Sequence, residues 1–204
     1  MTDDAAVAAA LAAHRVVAIV RATDASEARQ SARRLLRLGA RLLEVSLTTP
    51  QAMQVLAELI GDTAARNDVV LGAGTVLDVA SVHRAAEIGA KFVLSPVFDP
   101  RVVAAARAAG LAAIPGCATA TEMVQAMHAG ATAVKIYPAS AWRPAVLRDL
   151  LSALPDLPCV PTGGVTLTSA PDWLAAGARA VGLGGDLSRS EPDVVRRTLA
   201  ELQS

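Results

Sequence analysis

Two charged residues interrupt stretches that are otherwise apolar: Lys135 inside VKIYP and Glu44 inside LLEVS. A lysine enclosed by apolar side chains loses the solvation of its ammonium, so its pKa falls and a neutral amine becomes available to attack a carbonyl. A carboxyl group in the same surroundings is a general acid and base with a tuned pKa. The lysine stands out for a second reason. Of the 19 basic residues only Lys91 and Lys135 are lysines, and the other 17 are arginines. Where a plain cation suffices this sequence uses arginine, so a retained lysine points to chemistry that a guanidinium cannot do. The structural alternatives are a lysine whose head reaches solvent at a strand end and a Glu44 held in an ion pair with Arg21 or Lys135.

Other residues around these two suit anion binding. Arg21 ends AIVRA, where it either clamps a substrate carboxylate through two parallel hydrogen bonds or is a surface arginine at a strand end. The segment Gly72-Ala73-Gly74-Thr75 begins like a dinucleotide fingerprint. Leu77 stands where the third glycine belongs, however, and no acidic residue follows roughly 20 positions on. Glycines that let backbone amides approach a carboxylate, helped by the Thr75 hydroxyl, fit better. Gly163-Gly164 and Gly182-Leu183-Gly184-Gly185-Asp186 read either as exposed amides for a phosphate or as tight turns. His14, His83 and His128 all fall in helical stretches, so no metal-ligand cluster is expected.

These residues need elements to hold them. A helix end, a glycine and an apolar run recur at Gly39, Gly89, Gly110, Gly130 and Gly177. Each glycine suits the left-handed position that ends a helix, and each apolar run suits a parallel strand buried on both faces. The pattern gives eight strands, at 16–21, 42–46, 69–72, 92–95, 112–115, 133–136, 159–161 and 180–182. Helices are expected at 26–38, 51–60, 79–88, 101–109, 121–128 and 144–154, with an extra N-terminal helix at 5–13. The expected fold is α/β: a single (β/α)₈ TIM barrel over residues 1–204, with that helix added. Five or six true strands would give an open doubly wound sheet instead. In a barrel, active sites lie at the C-terminal strand ends, and alternate strands feed the same interior layer. Lys135 on the sixth strand and Glu44 on the second would then face each other across the top.

Composition limits the partners. The net charge is +0, which removes the footprint of a nucleic-acid binder, and no basic helix suggests an anionic membrane. No apolar run approaches a membrane span, and the acidic start, Thr2-Asp3-Asp4, lacks the positive charge of a secretion signal. Cys117 and Cys159 form no CxxC and read as reduced thiols of a cytoplasmic protein. With aromatics at 2%, the core must be built from Ala, Val and Leu.

Taken in order, LLEVSLTTP, GAGTVL, PGCATATE, VKIYPAS, VPTGGV and GLGGDL resemble the 2-keto-3-deoxy-6-phosphogluconate (KDPG) aldolases and their 6-phosphogalactonate (KDPGal) relatives, over essentially the whole chain. The resemblance implies a class I pyruvate aldolase, a carbon–carbon lyase, with Lys135 as Schiff-base lysine and Glu44 as acid/base. It implies Arg21, Gly74 and Thr75 as binders of the pyruvate carboxylate, Tyr137 beside the imine and Pro96 lining the pocket. The phosphate would lie on Gly163, Gly164, Gly184 and Gly185. It further implies a homotrimer acting on small molecules without metal or bound cofactor. The expected reaction is cleavage of KDPG to pyruvate and glyceraldehyde 3-phosphate, with 4-hydroxy-2-oxoglutarate as a further family substrate. Where some members carry an arginine after strand 2, this chain has Thr48 and Thr49; members lacking it tend to have the strand 1 arginine, here Arg21. PGCATATE and GLGGDL resemble the phosphogalactonate branch. Thr162 resembles the phosphogluconate branch, where a hydroxyl meets the substrate's C4 hydroxyl. A KDPGal aldolase is thus the nearest alternative; a non-covalent phosphosugar isomerase or a barrel that only binds a phosphorylated ligand are alternatives of other kinds.

Overall fold

Helix starts follow local chemistry. In the computed structural model, which describes residues 3–203, Asp24, Asp78 and Asp99 each accept a hydrogen bond from a first-turn amide, and Thr119 with Glu122 forms a reciprocal capping box. Helix ends follow it too: the five repeated glycines, at 39, 89, 110, 130 and 177, all take positive φ.

Between these punctuation points the chain alternates. It runs α1 (Asp3–His14), β1 (Val16–Val20), α2 (Ala25–Arg37), β2 (Leu42–Ser46), α3 (Ala52–Asp62), β3 (Val70–Gly74), α4 (Val79–Glu87), β4 (Phe92–Leu94) and α5 (Pro100–Ala108). It continues with β5 (Ala112–Ile114), β6 (Gly116–Cys117), α6 (Ala120–His128), β7 (Val134–Ile136), α7 (Pro144–Ala153), β8 (Cys159–Pro161), α8 (Ala170–Ala175), β9 (Val181–Leu183), α9 (Gly185–Arg189) and α10 (Pro192–Gln203).

All strand pairs are parallel, in the orders β5-β4-β3-β2-β1-β9 and β6-β7-β8. The two sheets join at both edges. β5 passes into β6 across Pro115, whose carbonyl accepts from Lys135 N, and the Thr162–Gly182 bridge carries β8 onto β9. The result is the (β/α)₈ barrel, with the fifth strand split in two at a proline that has no N–H to give to the ladder.

Two apolar layers hold it. Val7 and Leu11 of α1 close the N-terminal end of the barrel against Val17, Leu42, Phe92, Ile114 and Val160 inside it. The outward strand residues, Val134 and Ile136 among them, pack under the helices. Several expected limits shift. The first strand ends at Val20 and leaves Arg21 outside it, and the third runs on to Gly74. Helices α8, α9 and α10 were not expected; the first two are six and five residues long, too short to show a helical apolar period.

Candidate active site

Strand polarity puts the C-terminal ends of β1, β2, β7, β8 and β9 around one cavity of about 550 Å³. Lys135, at the centre of β7, points into it while Val134 and Ile136 point to the helices, as alternation in a strand requires. The lysine is 4% exposed, and its Nζ lies 4.7 Å from the centroid of the Tyr137 ring. Burial lowers its pKa below that of an ordinary lysine; the nearby Glu44 carboxylate raises it in part, and Arg21 lowers it.

Glu44, in the middle of β2, reaches the same cavity and is 2% exposed. Burial raises its pKa, and Lys135 and Arg21 pull it back down. No ion pair joins Glu44 to Arg21 or Lys135 among the described residues, and Glu44 Oε2 is buried without a hydrogen-bond partner. A buried polar atom left without a partner is costly unless something else meets it there. The carboxylate fits because Gly74, across the β2–β3 ladder, has no side chain: a Cβ there would stand 2.4 Å from Oε2.

Other expected residues gather around this pair. Arg21 lines the cavity from an exposed position just past β1. Thr162 is buried, and its hydroxyl donates to Val160 O at 3.1 Å, which leaves the oxygen's lone pairs free to accept. Gly163 and Gly164 follow at φ 83° and 95°, the first against the Tyr137 ring and the second against Ser140. Gly184 and Gly185 complete the wall from the end of β9.

The remaining expected residues stand behind the wall, Gly74 directly against the Glu44 carboxylate. Gly74, Thr75 and Pro96 are not part of this wall. Thr75, at φ 61°, turns its hydroxyl onto Ser46 Oγ at 2.9 Å, and Ser46 is also 2.9 Å from Thr48 Oγ1. Pro96 packs on Gly116, where a Cβ would stand 2.3 Å from the Pro96 carbonyl.

Several wall residues carry no signal of their own in the sequence: Glu27 and Ser31 of α2, Thr166, and Ser188 and Arg189 of α9. Arg189 follows Gly185 by four residues, a spacing that becomes visible only once α9 is known to be a helix. Arg34 of α2 reaches the same segment and donates to the carbonyls of Ser188 and Ser190.

The other titratable groups offer less. Lys91 lies at the opposite end of the barrel, exposed and paired with Asp3 at 3.3 Å. Burial pushes the Cys117 and Cys159 thiols up to about 12, so both stay protonated and poorly nucleophilic. Among the described residues no group of three or more His, Cys, Asp or Glu could hold a metal, and no helix is long and apolar enough to cross a membrane.

Comparison with known proteins agrees with this geometry. The family model for KDPG and KHG aldolases (KHG being 4-hydroxy-2-oxoglutarate) matches residues 7–198. The chain is 35% identical to the 2-dehydro-3-deoxy-6-phosphogalactonate aldolase of Escherichia coli strain K12, over 89% of this chain and 88% of that one. It is 38% identical to the 2-dehydro-3-deoxy-phosphogluconate aldolase of Treponema pallidum, over 79% of this chain and 76% of that one. The KDPG aldolase of Legionella pneumophila, solved with pyruvate captured as a covalent carbinolamine, superposes with a TM-score of 0.84 at 26% identity, covering 97% of this chain and 98% of that one. The barrel, the enclosed lysine and carboxyl group, and these matches make the chain a member of the KDPG and KHG aldolase family, a class I pyruvate aldolase that acts as a carbon–carbon lyase.

Proposed function

We propose that this enzyme cleaves 2-keto-3-deoxy-6-phosphogluconate to pyruvate and glyceraldehyde 3-phosphate through an imine on Lys135. The observation that carries the reading is the pairing of two enclosed groups of opposite tendency in one cavity: an amine that burial drives toward its neutral form and a carboxyl group that burial drives toward its protonated form. The neutral amine attacks the C2 ketone. Glu44, through a water, moves the protons that turn carbinolamine into protonated imine. The cationic imine is the electron sink, so no metal or bound cofactor is needed. Glu44 then accepts the C4 hydroxyl proton as C3–C4 breaks, and the electron pair of that bond becomes the enamine. Glyceraldehyde 3-phosphate leaves, C3 is protonated, and water releases pyruvate.

In this reading Arg21 holds the carboxylate, and Gly74 and Thr75 shape that end from behind, through Glu44 and Ser46. Tyr137 packs beside the imine, and Pro96 supports the wall through Gly116. Thr162 meets the oxygen of the C4 hydroxyl, whose proton goes to Glu44. The amides of Gly163, Gly164, Gly184 and Gly185 receive the phosphate. Residues 1–204 work as one aldolase domain, cytoplasmic and homotrimeric.

Borohydride reduction in the presence of pyruvate tests the covalent step. A stable adduct on Lys135, absent from Lys135→Arg, is expected, because arginine keeps the charge and cannot form the imine. Lys135→Arg should also lose cleavage activity while keeping its fold. Normal turnover in that variant, or no adduct on Lys135, would leave only the non-covalent alternatives.

A further inference from the structure

One cation of the cavity has no role in the mechanism above. Arg189 is the last residue of α9 and is exposed at the cavity rim. Its guanidinium folds back along the helix over Gly185, with Nη1 and Nη2 at 2.5 and 3.2 Å from where a Cβ on that glycine would stand. Residues four apart share a helix face, and helical side chains lean toward the N-terminus. The fold-back is therefore natural, provided position 185 carries no side chain. Among the described residues Arg189 forms no ion pair.

The support under this arginine is braced on both sides. Asp186 Oδ2 accepts from Leu167 N at 2.7 Å, tying α9 to the loop that carries Gly163 and Gly164. From α2, Arg34 donates to Ser188 O at 3.1 Å and to Ser190 O. Arg21, the other arginine of the cavity, acts on Glu44 and Lys135 and so belongs to the inner end. The cavity thus carries one guanidinium whose charge acts on the buried lysine and a second, Arg189, on the α9 side with Gly184 and Gly185.

We infer that Arg189 binds the phosphate at the end of the substrate remote from the ketone, and that it sets the preference for phosphorylated over unphosphorylated 2-keto-3-deoxy sugar acids. The inference rests on the aldolase reading above and adds the group that selects by charge. Backbone amides alone are neutral donors that also accept a hydroxyl. A guanidinium discriminates a dianion from a hydroxyl and matches phosphate with paired donors. Gly185 has a second duty beyond offering an amide: its missing side chain is the space the guanidinium occupies.

Two measurements test this. Inorganic phosphate is titrated into the enzyme and followed by calorimetry, which needs no turnover. The ratio of kcat/KM for a phosphorylated and an unphosphorylated 2-keto-3-deoxy sugar acid is measured alongside. Arg189→Gln should weaken phosphate binding roughly tenfold, the lower end for a charge-assisted contact because the residue is exposed, and shrink the ratio by a similar factor, mainly through KM. Arg189→Lys should recover part of both. Gly185→Ala keeps the amide and expels the guanidinium, so it should reproduce Arg189→Gln, and the double variant should be no worse than either single one. Unchanged phosphate affinity and ratio in folded Arg189→Gln would overturn the inference. So would loss in Gly185→Ala alone, since the amides would then suffice. If phosphate binding depends on Arg189 while pyruvate leaves no adduct on Lys135, the anion site stands and the aldolase assignment of the lysine falls.

Discussion

Two glycines of β3 stand two residues apart, both face the barrel interior, and their alanine variants should fail in different ways. Neither has a left-handed φ, so alanine adds no backbone strain and the collision alone decides. At Gly72 a Cβ would lie 2.5 Å from the Phe92 carbonyl oxygen and 2.5 Å from its ring. Phe92 is fully buried on β4, whose backbone is paired on both sides, so nothing there can yield. Overpacking of that kind costs about 3 kcal/mol, or roughly 6–12 °C in Tm for a chain of this size. At Gly74 the Cβ meets the Glu44 carboxylate at 2.4 Å, against an ordinary contact of 3.4 Å or more. That group must retreat by about 1 Å, and it borders the 550 Å³ cavity into which it can move. The stability cost of Gly74→Ala should therefore stay near 1 kcal/mol, or roughly 2–4 °C. The catalytic cost should be large, because displacing an acid/base by about 1 Å costs on the order of a hundredfold in kcat. Thermal unfolding by circular dichroism gives the first quantity, and pyruvate release coupled to NADH oxidation gives the second. A Gly74→Ala enzyme with kcat within about threefold of wild type would refute the placement of Glu44, and wild-type Tm in Gly72→Ala would refute the packing argument.

The pH dependence of imine formation with pyruvate should carry a rising limb below the ordinary lysine value of 10.5, because burial lowers the pKa of Lys135. Glu44 raises that pKa and Arg21 lowers it, so Glu44→Gln should move the limb to lower pH and Arg21→Gln to higher pH; shifts in the opposite directions would show that other charges govern the lysine. The Thr162 hydroxyl, which rests on Val160 O, can rotate to donate to the C4 hydroxyl oxygen and leave that hydroxyl's proton for Glu44, a neutral bond worth about 0.5–1.5 kcal/mol. The phosphogluconate-derived epimer should accordingly be preferred by around tenfold at most, and Thr162→Val should narrow or invert the preference; an unchanged ratio of kcat/KM values would place the discrimination elsewhere. Activity should survive exhaustive EDTA treatment, and loss on chelation with rescue by a divalent ion would point to metal-assisted chemistry instead.

Much of the barrel was legible because its signals are local. A glycine at a helix end and an apolar run after it depend on residues within a few positions of each other. The five glycines at positive φ and the strands behind them follow from that alone. Lys135 and Glu44 were legible for a related reason, since a charge inside an apolar strand stands out against its own neighbours. Period-two alternation then sent both inward. Parity of strand number placed them across from each other, and the cavity holds both. The limits of elements were less legible: β1 ends at Val20, and α9 is too short for any period to appear.

What the sequence determined by itself is thus the kind of fold, the enclosed lysine and carboxyl group that share the cavity, and the family's motifs in order. Tertiary structure decided which glycine makes room for which side chain. Gly74, expected as an amide donor for a substrate carboxylate, also leaves the space in which the Glu44 carboxylate sits. Thr75 takes a left-handed backbone that sets its hydroxyl on Ser46. Arg34 of α2 braces α9 from 154 and 156 residues away, a contact that no local pattern announces. Each of these outcomes depends on the register between strands or on the packing of a helix against a distant loop. Register and helix docking are set only when the whole ring closes, because the energy that selects them comes from burying all the interior faces together.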